Sequence, residues 1–289
     1  SFASLTIFFN IEFFNFLGGN YIRPELIEDQ VMVFRSRPLN LNSNVASFWI
    51  SFGSLFCFNF YLHDVKIWKS YSSNLLLFLL AINIAGLFSI ASLSSLFSII
   101  IMLFFSIFIS NVPTKNKQKV YLHILASIFI FFIIATQSGL LNNINNRFVE
   151  NKQEALRADY FEDVAGFGGR ELLIKDAYAF FLRNPLIGNG LDSFRTEFGK
   201  SAHNSYLWSL TNGGIIGLII WIAFNANLIF NLGNKKNISK HRNALNNSLT
   251  AICFGAMIYA LAHSIHLNKF YWLILAISIA NVTRKSMYS

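Results

Sequence analysis

Long apolar runs separated by short polar segments dominate the hydrophobic pattern of this 289-residue chain. Eight of them approach the roughly 20 residues that an α-helix needs to cross a bilayer. They fall at about 2–17, 45–62, 74–91, 93–110, 120–140, 213–232, 245–265 and 270–283. Within lipid, backbone hydrogen bonds must close inside each segment, so these runs predict helices. We therefore expect an all-α, polytopic membrane protein with about eight transmembrane helices.

Two places in this pattern need interpretation. The runs that meet near Ala91 form either two helices joined by a serine-rich turn or one long kinked helix. The chain also starts at Ser1 inside an apolar run, without the basic region and cleavage site of a signal peptide. We expect from this that the sequence is truncated at its amino terminus.

Composition agrees with a membrane protein. Hydrophobic residues make up 54% of the chain and the mean hydropathy is +0.47, which is more apolar surface than one soluble core can bury. The net charge of +9 comes from residues spread over short loops, which indicates membrane orientation and no nucleic-acid partner. Cys57 and Cys253 both lie in apolar runs, so neither a disulfide nor a metal site is expected.

The positions of lysine and arginine predict how the chain is oriented. With eight crossings, four basic clusters fall on one side, which the positive-inside rule makes cytoplasmic. The clusters are Lys66 and Lys69; Lys115, Lys117 and Lys119; Lys235, Lys236, Lys240 and Arg242; and Arg284 and Lys285. We thus divide the chain into transmembrane helices at 1–140, a large outward loop at 141–212 and further transmembrane helices at 213–289.

The outward loop holds most of the ionisable residues. Residues 141–202 contain nine of the fourteen acidic residues and eight basic ones, a mixture typical of a folded polar cap. The segment 170–184 predicts an amphipathic helix, because its apolar residues recur on one face. These residues are Leu173, Ala177, Phe180 and Phe181, and Arg170 falls on the same face.

Polar motifs follow this helix directly. Pro185 is expected to end it, while Gly188 and Gly190 favour a tight turn over a phosphate-binding loop, since no strand precedes them. His203 comes shortly before the apolar run at 213–232. An ionisable side chain at that position is a candidate for function.

At these motifs the chain resembles the bacterial O-antigen ligase and polysaccharide polymerase superfamily. The resemblance rests on Gly169-Arg170, on Asn184-Pro185-Leu186-Ile187-Gly188-Asn189-Gly190, on His203-Asn204-Ser205-Tyr206-Leu207 and on the glycine-rich Gly213–Gly217, and it extends over about 30–265. Asn42–Ala46 is similar to a further outward-loop motif, with Ser43 in place of proline. Ser92–Ser95 departs from the family pattern, because it lacks the expected arginine.

The resemblance implies a metal-independent, inverting glycosyltransferase with no cofactor. Such an enzyme takes a glycan from a polyprenyl diphosphate carrier and passes it to a glycan, a lipid A core or a protein. It would act in the bacterial inner membrane, with the large loop in the periplasm. Arginine suits the leaving diphosphate, which assigns Arg170 first and then Arg35 and Arg37. His203 would orient or deprotonate the acceptor hydroxyl, with Asn204 and Tyr206 as substrate-binding neighbours.

Other interpretations stay open. A multi-helix protein with this domain could instead transport a small anion such as bicarbonate, or act as a noncatalytic scaffold for glycan assembly. The scarcity of charge in the apolar runs and the absence of an internal repeat favour chemistry at the surface. Arg170 and His203 could be ordinary interfacial residues. His263 and His266, spaced i and i+3 at a predicted helix end, are expected to be structural because no third metal ligand accompanies them.

Overall fold

The computed structural model is predominantly helical in the residues that it describes, as the apolar runs predicted. It describes residues 22–27, 31–36, 43–65, 72–90, 93–115, 117–118, 120–122, 167–234 and 239–286. The helices are α1 Ser43–Leu62, α2 Ser72–Ile90, α3 Leu93–Ile109, α4 Phe167–Phe181, α5 Ser193–Phe198, α6 Ser205–Gly233, α7 Lys240–Tyr259 and α8 Lys269–Ser286, with a 3-10 turn at Ile265–Leu267. The runs predicted at 2–17 and, beyond residue 122, at 120–140 lie outside the described residues.

One two-stranded β-hairpin departs from the all-α expectation. Strands β1, Ile22–Ile27, and β2, Val31–Ser36, pair antiparallel. β1 contains two isoleucines and β2 contains two valines, and the branched side chains of these residues favour the extended conformation. The segment falls outside the apolar runs, so helix-length periodicity gave no reason to expect it.

Several predicted boundaries were wrong. The 45–62 and 74–91 runs begin as helices two residues earlier than predicted. The runs that meet near Ala91 form two separate helices, α2 and α3, which is one of the two interpretations left open. The run at 213–232 is part of a longer helix that begins at Ser205. The run at 245–265 ends its helix at Tyr259, because the backbone then enters a turn that leads into the 3-10 segment.

A single helix in the described residues, Ser205–Gly233, is long and apolar enough to cross a membrane. The shorter apolar helices are Ala46–Leu62, Asn74–Ile84, Phe97–Ile109 and Tyr271–Thr283. The number of eight crossings therefore stays a prediction.

The chain divides into two compact units. The first comprises Ser1–Arg147 with Gly233–Ile252, and the second comprises Phe148–Leu232 with Cys253–Ser289. Helix α7 accordingly begins in the first unit and ends in the second.

In the first unit, α1 packs against α2 and α3. Its apolar core contains Phe58, Leu62, Leu80, Ile107 and Val120. Buried polar pairs also join its helices: the hydroxyl of Ser106 donates to Asn59 Oδ1 at 2.6 Å, and the amide nitrogen of Asn247 lies 2.7 Å from Nε2 of His63. Such pairs are typical of helices that pack where water is scarce.

In the second unit, α6 is held to the end of α7 and to α8 by polar contacts. The hydroxyl of Tyr206 donates to the carbonyl of Met257 at 3.0 Å, and the hydroxyl of Tyr271 donates to Asn225 Oδ1 at 2.9 Å. All the ordered motifs from Gly169-Arg170 to His203 lie in this unit.

Candidate functional site

A small aromatic core supports the motif residues. Its buried members are Ala177, Phe180, Phe194 and Ala202, from α4, α5 and the segment before α6. The rings of Phe194 and Phe198 stack at 4.6 Å, and Phe180 meets both edge-on. The burial of Ala177, Phe180 and Phe181 confirms the predicted apolar face of α4. This core fixes both ends of the loop after α4 and the start of the turn before α6.

Helix α4 ends earlier than predicted. It spans Phe167–Phe181 and not 170–184. Beyond Phe181 the hydrogen bonds tighten to a three-residue spacing, with the amides of Arg183 and Asn184 donating to Phe180 and Phe181. The helix has thus already ended before Pro185, which is the second residue of the loop 184–190.

The loop 184–190 packs against a break in α6. The backbone leaves helical geometry at Gly214, where φ is 64° and ψ is −161°. Four backbone bonds join the loop to the break: Ile215 N to Pro185 O at 2.9 Å, Ile216 N to Leu186 O at 3.2 Å, Asn189 N to Thr211 O at 2.9 Å and Gly190 N to Asn212 O at 3.1 Å. The loop thereby satisfies donors and acceptors that the interrupted helix exposes on both sides.

Two glycines make this contact possible. Gly188 has φ +72°, and a Cβ there would lie 2.4 Å from the carbonyl carbon and oxygen of Asn212. Gly214 has φ +64°, and a Cβ there would lie 2.4 Å from the carbonyl of Leu186. Gly190 also has a positive φ, of 99°, but no atom within 4 Å of its Cβ position. Gly188 and Gly214 are therefore where the two backbones approach too closely for any side chain.

The side chain of Asn189 fastens the loop. Its amide nitrogen donates to the carbonyl of Phe180 at 2.9 Å and to that of Thr211 at 3.3 Å. Its Oδ1 accepts a bond from the amide of Asn184 at 2.8 Å. Sequence reasoning did not single out Asn189, although two asparagines in one short glycine-containing motif are a signal for such side-chain bonds.

His203 occupies an exposed left-handed turn directly before α6. Its φ is 50°, which is uncommon for a residue with a Cβ. Asn204 caps the helix: its Oδ1 accepts from the backbone nitrogens of Tyr206 at 2.9 Å and Leu207 at 3.1 Å. Its amide nitrogen donates to the carbonyl of Leu261 at 2.9 Å. The cap thus determines where the chain turns and places His203 at the surface.

The segment between α7 and α8 anchors this turn from the other side. Ser205 N donates to the carbonyl of Ala260 at 2.9 Å, and the hydroxyls of Ser201 and Ser264 lie 2.7 Å apart. The Ser205 hydroxyl donates to the carbonyl of His263 at 2.9 Å. Sequence reasoning missed these serines, because their partners are about 60 residues away and no local signal marks them.

Both histidines of this segment were predicted to lie at a helix end, and this prediction was wrong. His263 lies in the turn after α7, where its ring stacks on Tyr259 at 4.2 Å. His266 lies in the 3-10 turn, where its ring stacks on Trp208 at 3.8 Å. In the described part of the chain, no three His, Cys, Asp or Glu side chains form a group that could hold a metal ion.

For the arginines predicted to bind the diphosphate, the structure describes the backbone of Arg170 and of Arg35. Arg170 lies in the first turns of α4, and Arg35 lies in β2 opposite Arg23. Arg37 is outside the described residues. Arg183 forms an ion pair with Glu197 at 2.8 Å, and its guanidinium carbon lies 4.8 Å from the ring centroid of Phe180. Its contacts are those of a structural residue.

The described part of the chain is predominantly helical, and the motif residues Asn204 and Ser205 lie at the start of its one membrane-length helix. A family model described as O-antigen ligase matches residues 75–222, just over half of the chain. The chain belongs to the O-antigen ligase family, whose members are integral membrane proteins of the glycosyltransferase type. No curated protein matches the chain. The match includes the loop 184–190 and the His203 turn, whereas the expected resemblance at Asn42–Ala46 falls outside it.

Proposed function

We propose that the protein transfers a glycan from a polyprenyl diphosphate carrier to an acceptor hydroxyl, as an O-antigen ligase or a polysaccharide polymerase. The observation that carries this proposal is an exposed imidazole, His203, held in a capped turn directly before a membrane-length helix. Membership of the O-antigen ligase family supports the same reaction class. The reaction proceeds with inversion and without a metal ion.

Apolar side chains around the loop support a site at the membrane surface. Leu186, Ile187 and Leu191 are all more than 60% exposed. The loop is bonded through its backbone to Ile215 and Ile216, where the longer half of α6 begins and where side chains are again exposed. A lipid-linked diphosphate at this depth would have its isoprenoid chain in the bilayer and its sugars near His203.

His203 and Arg170 have complementary roles in this proposal. The imidazole of His203 accepts the proton of the acceptor hydroxyl, which then attacks the anomeric carbon opposite the leaving diphosphate. Arg170 neutralises that diphosphate, because arginine presents paired donors that match phosphate oxygens. The assignment of Arg35 and Arg37 as further substrate-binding residues stays a prediction. Asn204 and Tyr206 keep the turn in place.

Loss of Arg170 should weaken donor binding more than acceptor binding. Removing one charged hydrogen-bonding partner costs about 1.5–3 kcal/mol, or roughly 10- to 100-fold in affinity. Arg170→Ala would be compared with Arg195→Ala, which removes an exposed arginine from α5. Equal donor affinities for the two variants would remove Arg170 from the diphosphate site.

The proposed location is the bacterial inner membrane, with the large loop in the periplasm and the four basic clusters in the cytoplasm. Single cysteines introduced at Lys117 and Lys200 test this orientation in a variant that lacks Cys57 and Cys253. A membrane-impermeant maleimide added outside spheroplasts should label the cysteine at position 200 and not the one at 117. Labelling of both, or of position 117 alone, would contradict the orientation.

The break in α6 makes a transporter of a small anion the second candidate function, because transporters use interrupted helices to bind ions. In such sites, the backbone groups at the break are available to the transported ion. Here the amides of Ile215 and Ile216 and the carbonyls of Thr211 and Asn212 already bond the loop. The break is therefore filled by the protein, which favours transferase over transporter.

Reconstitution distinguishes these functions. The full-length protein in liposomes would receive a polyprenyl-diphosphate-linked oligosaccharide, with either the same molecule or lipid A core as acceptor. A ladder of product lengths indicates a polymerase, and a single enlarged lipid-core product indicates a ligase. An intact donor with every acceptor, together with anion uptake into the same liposomes, would overturn the proposal in favour of transport.

A further inference from the structure

Two buried nitrogen atoms beside the His203 turn have no role in the site described so far. The rings of Trp208, in the first half of α6, and His266, in the 3-10 turn, stack with centroids 3.8 Å apart and planes 23° apart. Nε1 of Trp208 and Nε2 of His266 are both buried, and neither has a hydrogen-bond partner among the described residues. Buried polar atoms rarely go without partners, so both atoms point to a ligand.

The hydrogen bonds of Ser205 determine which nitrogen of His266 carries the proton. The Ser205 hydroxyl donates its only proton to the carbonyl of His263 at 2.9 Å and accepts a bond from Ile265 N at 2.9 Å. Nδ1 of His266 lies 3.3 Å from the same oxygen, so Nδ1 is the donor in that contact.

At neutral pH the imidazole carries that one proton only. Burial lowers the pKa of His266 to about 4, against the opposing effect of the Asp192 carboxylate. Nε2 therefore has a free lone pair. The two unpartnered groups are thus an acceptor on His266 and a donor on Trp208, since an indole N–H can only donate.

This pair selects the chemistry of its ligand. A phosphate or carboxylate would accept from the indole but meet the lone pair of Nε2, and an ammonium group would donate to Nε2 but offer nothing to the indole. A hydroxyl group both donates and accepts, so it can satisfy both nitrogens. Carbohydrates carry such groups at high density.

The pair also lies close to the two motifs of the site. Ser205 is two residues after His203 and contacts His266 directly. Asp192, which acts on the pKa of His266, follows the loop 184–190 by two residues. A ligand at these nitrogens would therefore be next to both segments.

We propose that Trp208 Nε1 and His266 Nε2 bind a hydroxyl group of a glycan substrate, either on the donor or on the acceptor. The inference rests on the proposed function, because it assumes that a glycan occupies the site near His203. It assigns to two residues outside the recognised motifs a role in holding the sugar.

Three substitutions separate this role from a structural one. His266→Gln places an amide oxygen near the position of Nε2, whereas His266→Asn keeps a donor near Nδ1 for Ser205 and has nothing at Nε2. Trp208→Phe keeps an aromatic face and removes the N–H. Each variant would be assayed in liposomes for kcat and for KM toward donor and acceptor separately.

The expected result is a rise in one KM of about 3- to 10-fold for His266→Asn and Trp208→Phe, which is the effect of one neutral hydrogen bond. His266→Gln, which keeps an acceptor near the position of Nε2, should raise the same KM less than His266→Asn does. The substrate whose KM rises is the one that carries the hydroxyl, and a deoxy analogue of that sugar should lose no further affinity in the two defective variants.

Unchanged KM values for both substrates, with only thermal stability reduced, would overturn the proposal and leave a water-binding or packing role. A defect in His266→Gln without one in His266→Asn would overturn it too, because the bond to Ser205 alone would then matter. Where a His266 variant does not fold, Trp208→Phe decides the question. Turnover by the wild type tests the proposed function separately, and only the comparison between variants tests the hydroxyl site.

Discussion

Adding one methyl group at Gly188 or Gly214 should separate the loop 184–190 from the break in α6. An alanine Cβ at either position would lie 2.4 Å from backbone carbonyl atoms, whereas ordinary contacts begin near 3.4 Å. The two segments would have to move apart by about 1 Å. The bonds that join them span 2.9–3.2 Å, so a shift of that size exceeds the range of a hydrogen bond.

The free energy of unfolding should fall accordingly. A non-glycine residue in the left-handed region costs about 1–2 kcal/mol. Breaking two of the four backbone bonds adds about 1 kcal/mol for each. The sum is about 3–4 kcal/mol, and the loss is local to the break.

Gly199→Ala is the matched control. Gly199 has φ +67°, close to the values at Gly188 and Gly214, but no atom within 4 Å of its Cβ position. It therefore carries the conformational cost of about 1–2 kcal/mol without the collision. The control therefore differs from the other two variants mainly in that its added Cβ does not collide with backbone atoms.

Thermal unfolding in nanodiscs, with amide hydrogen exchange of the peptide around Ile215 and Ile216, measures both effects. At about 2 °C per kcal/mol for a chain of this size, Gly188→Ala and Gly214→Ala should lower the Tm by about 6–8 °C, against about 2–4 °C for Gly199→Ala. Exchange at the two amides should rise only in the first two variants. Equal Tm shifts and unchanged exchange would refute the close approach of loop and break.

Three further predictions follow from the site. Asn189→Ala removes three side-chain hydrogen bonds and should lower the free energy of unfolding by about 2–3 kcal/mol. The control is Asn231→Ala, which removes only bonds within α6 and should change the free energy of unfolding by less than about 1 kcal/mol. Equal Tm values for the two variants would contradict this. Asn204→Ala removes the α6 cap and should cost about 1 kcal/mol while lowering kcat, because His203 loses its fixed turn; an unchanged kcat would show that the cap does not position the imidazole. The pKa of His266 falls to about 4 in the folded state, so between pH 6.5 and 4 the unfolded state binds this proton and the folded state does not. As the pH drops through this range, the Tm should therefore decline more steeply in the wild type than in His266→Gln. Parallel curves of Tm against pH would contradict the buried, neutral imidazole.

Local patterns along the chain were enough to predict much of the scaffold. The spacing of Leu173, Ala177 and Phe180 predicted an amphipathic helix, and Ala177 and Phe180 are buried in its core. Gly188 and Gly190 were expected to form turns, and both have positive φ. These features depend on neighbours within a few residues, which periodicity and glycine content report directly.

Features that depend on distant partners could not be predicted in this way. Gly213-Gly214 lies inside an apolar run that is compatible with a continuous helix. The hydrogen bonds at the break come from loop residues that are 22 to 30 positions earlier in the chain. The neutral state of His266 likewise depends on the folded chain, because burial lowers its pKa against the opposing effect of the Asp192 carboxylate. In sequence, the residues next to His266 do not indicate this burial.

The most direct test of the central claim is the rate of glycan transfer by His203→Ala in liposomes at saturating donor and acceptor. His241→Ala is the matched control, because His241 is an exposed histidine in the other compact unit. A positioned acid–base group typically contributes 100-fold or more, so we predict a fall of at least about 100-fold for His203→Ala and no more than about twofold for His241→Ala. A His203→Ala enzyme that folds, binds the donor and transfers glycan at the wild-type rate would contradict the assignment of this turn as the catalytic site.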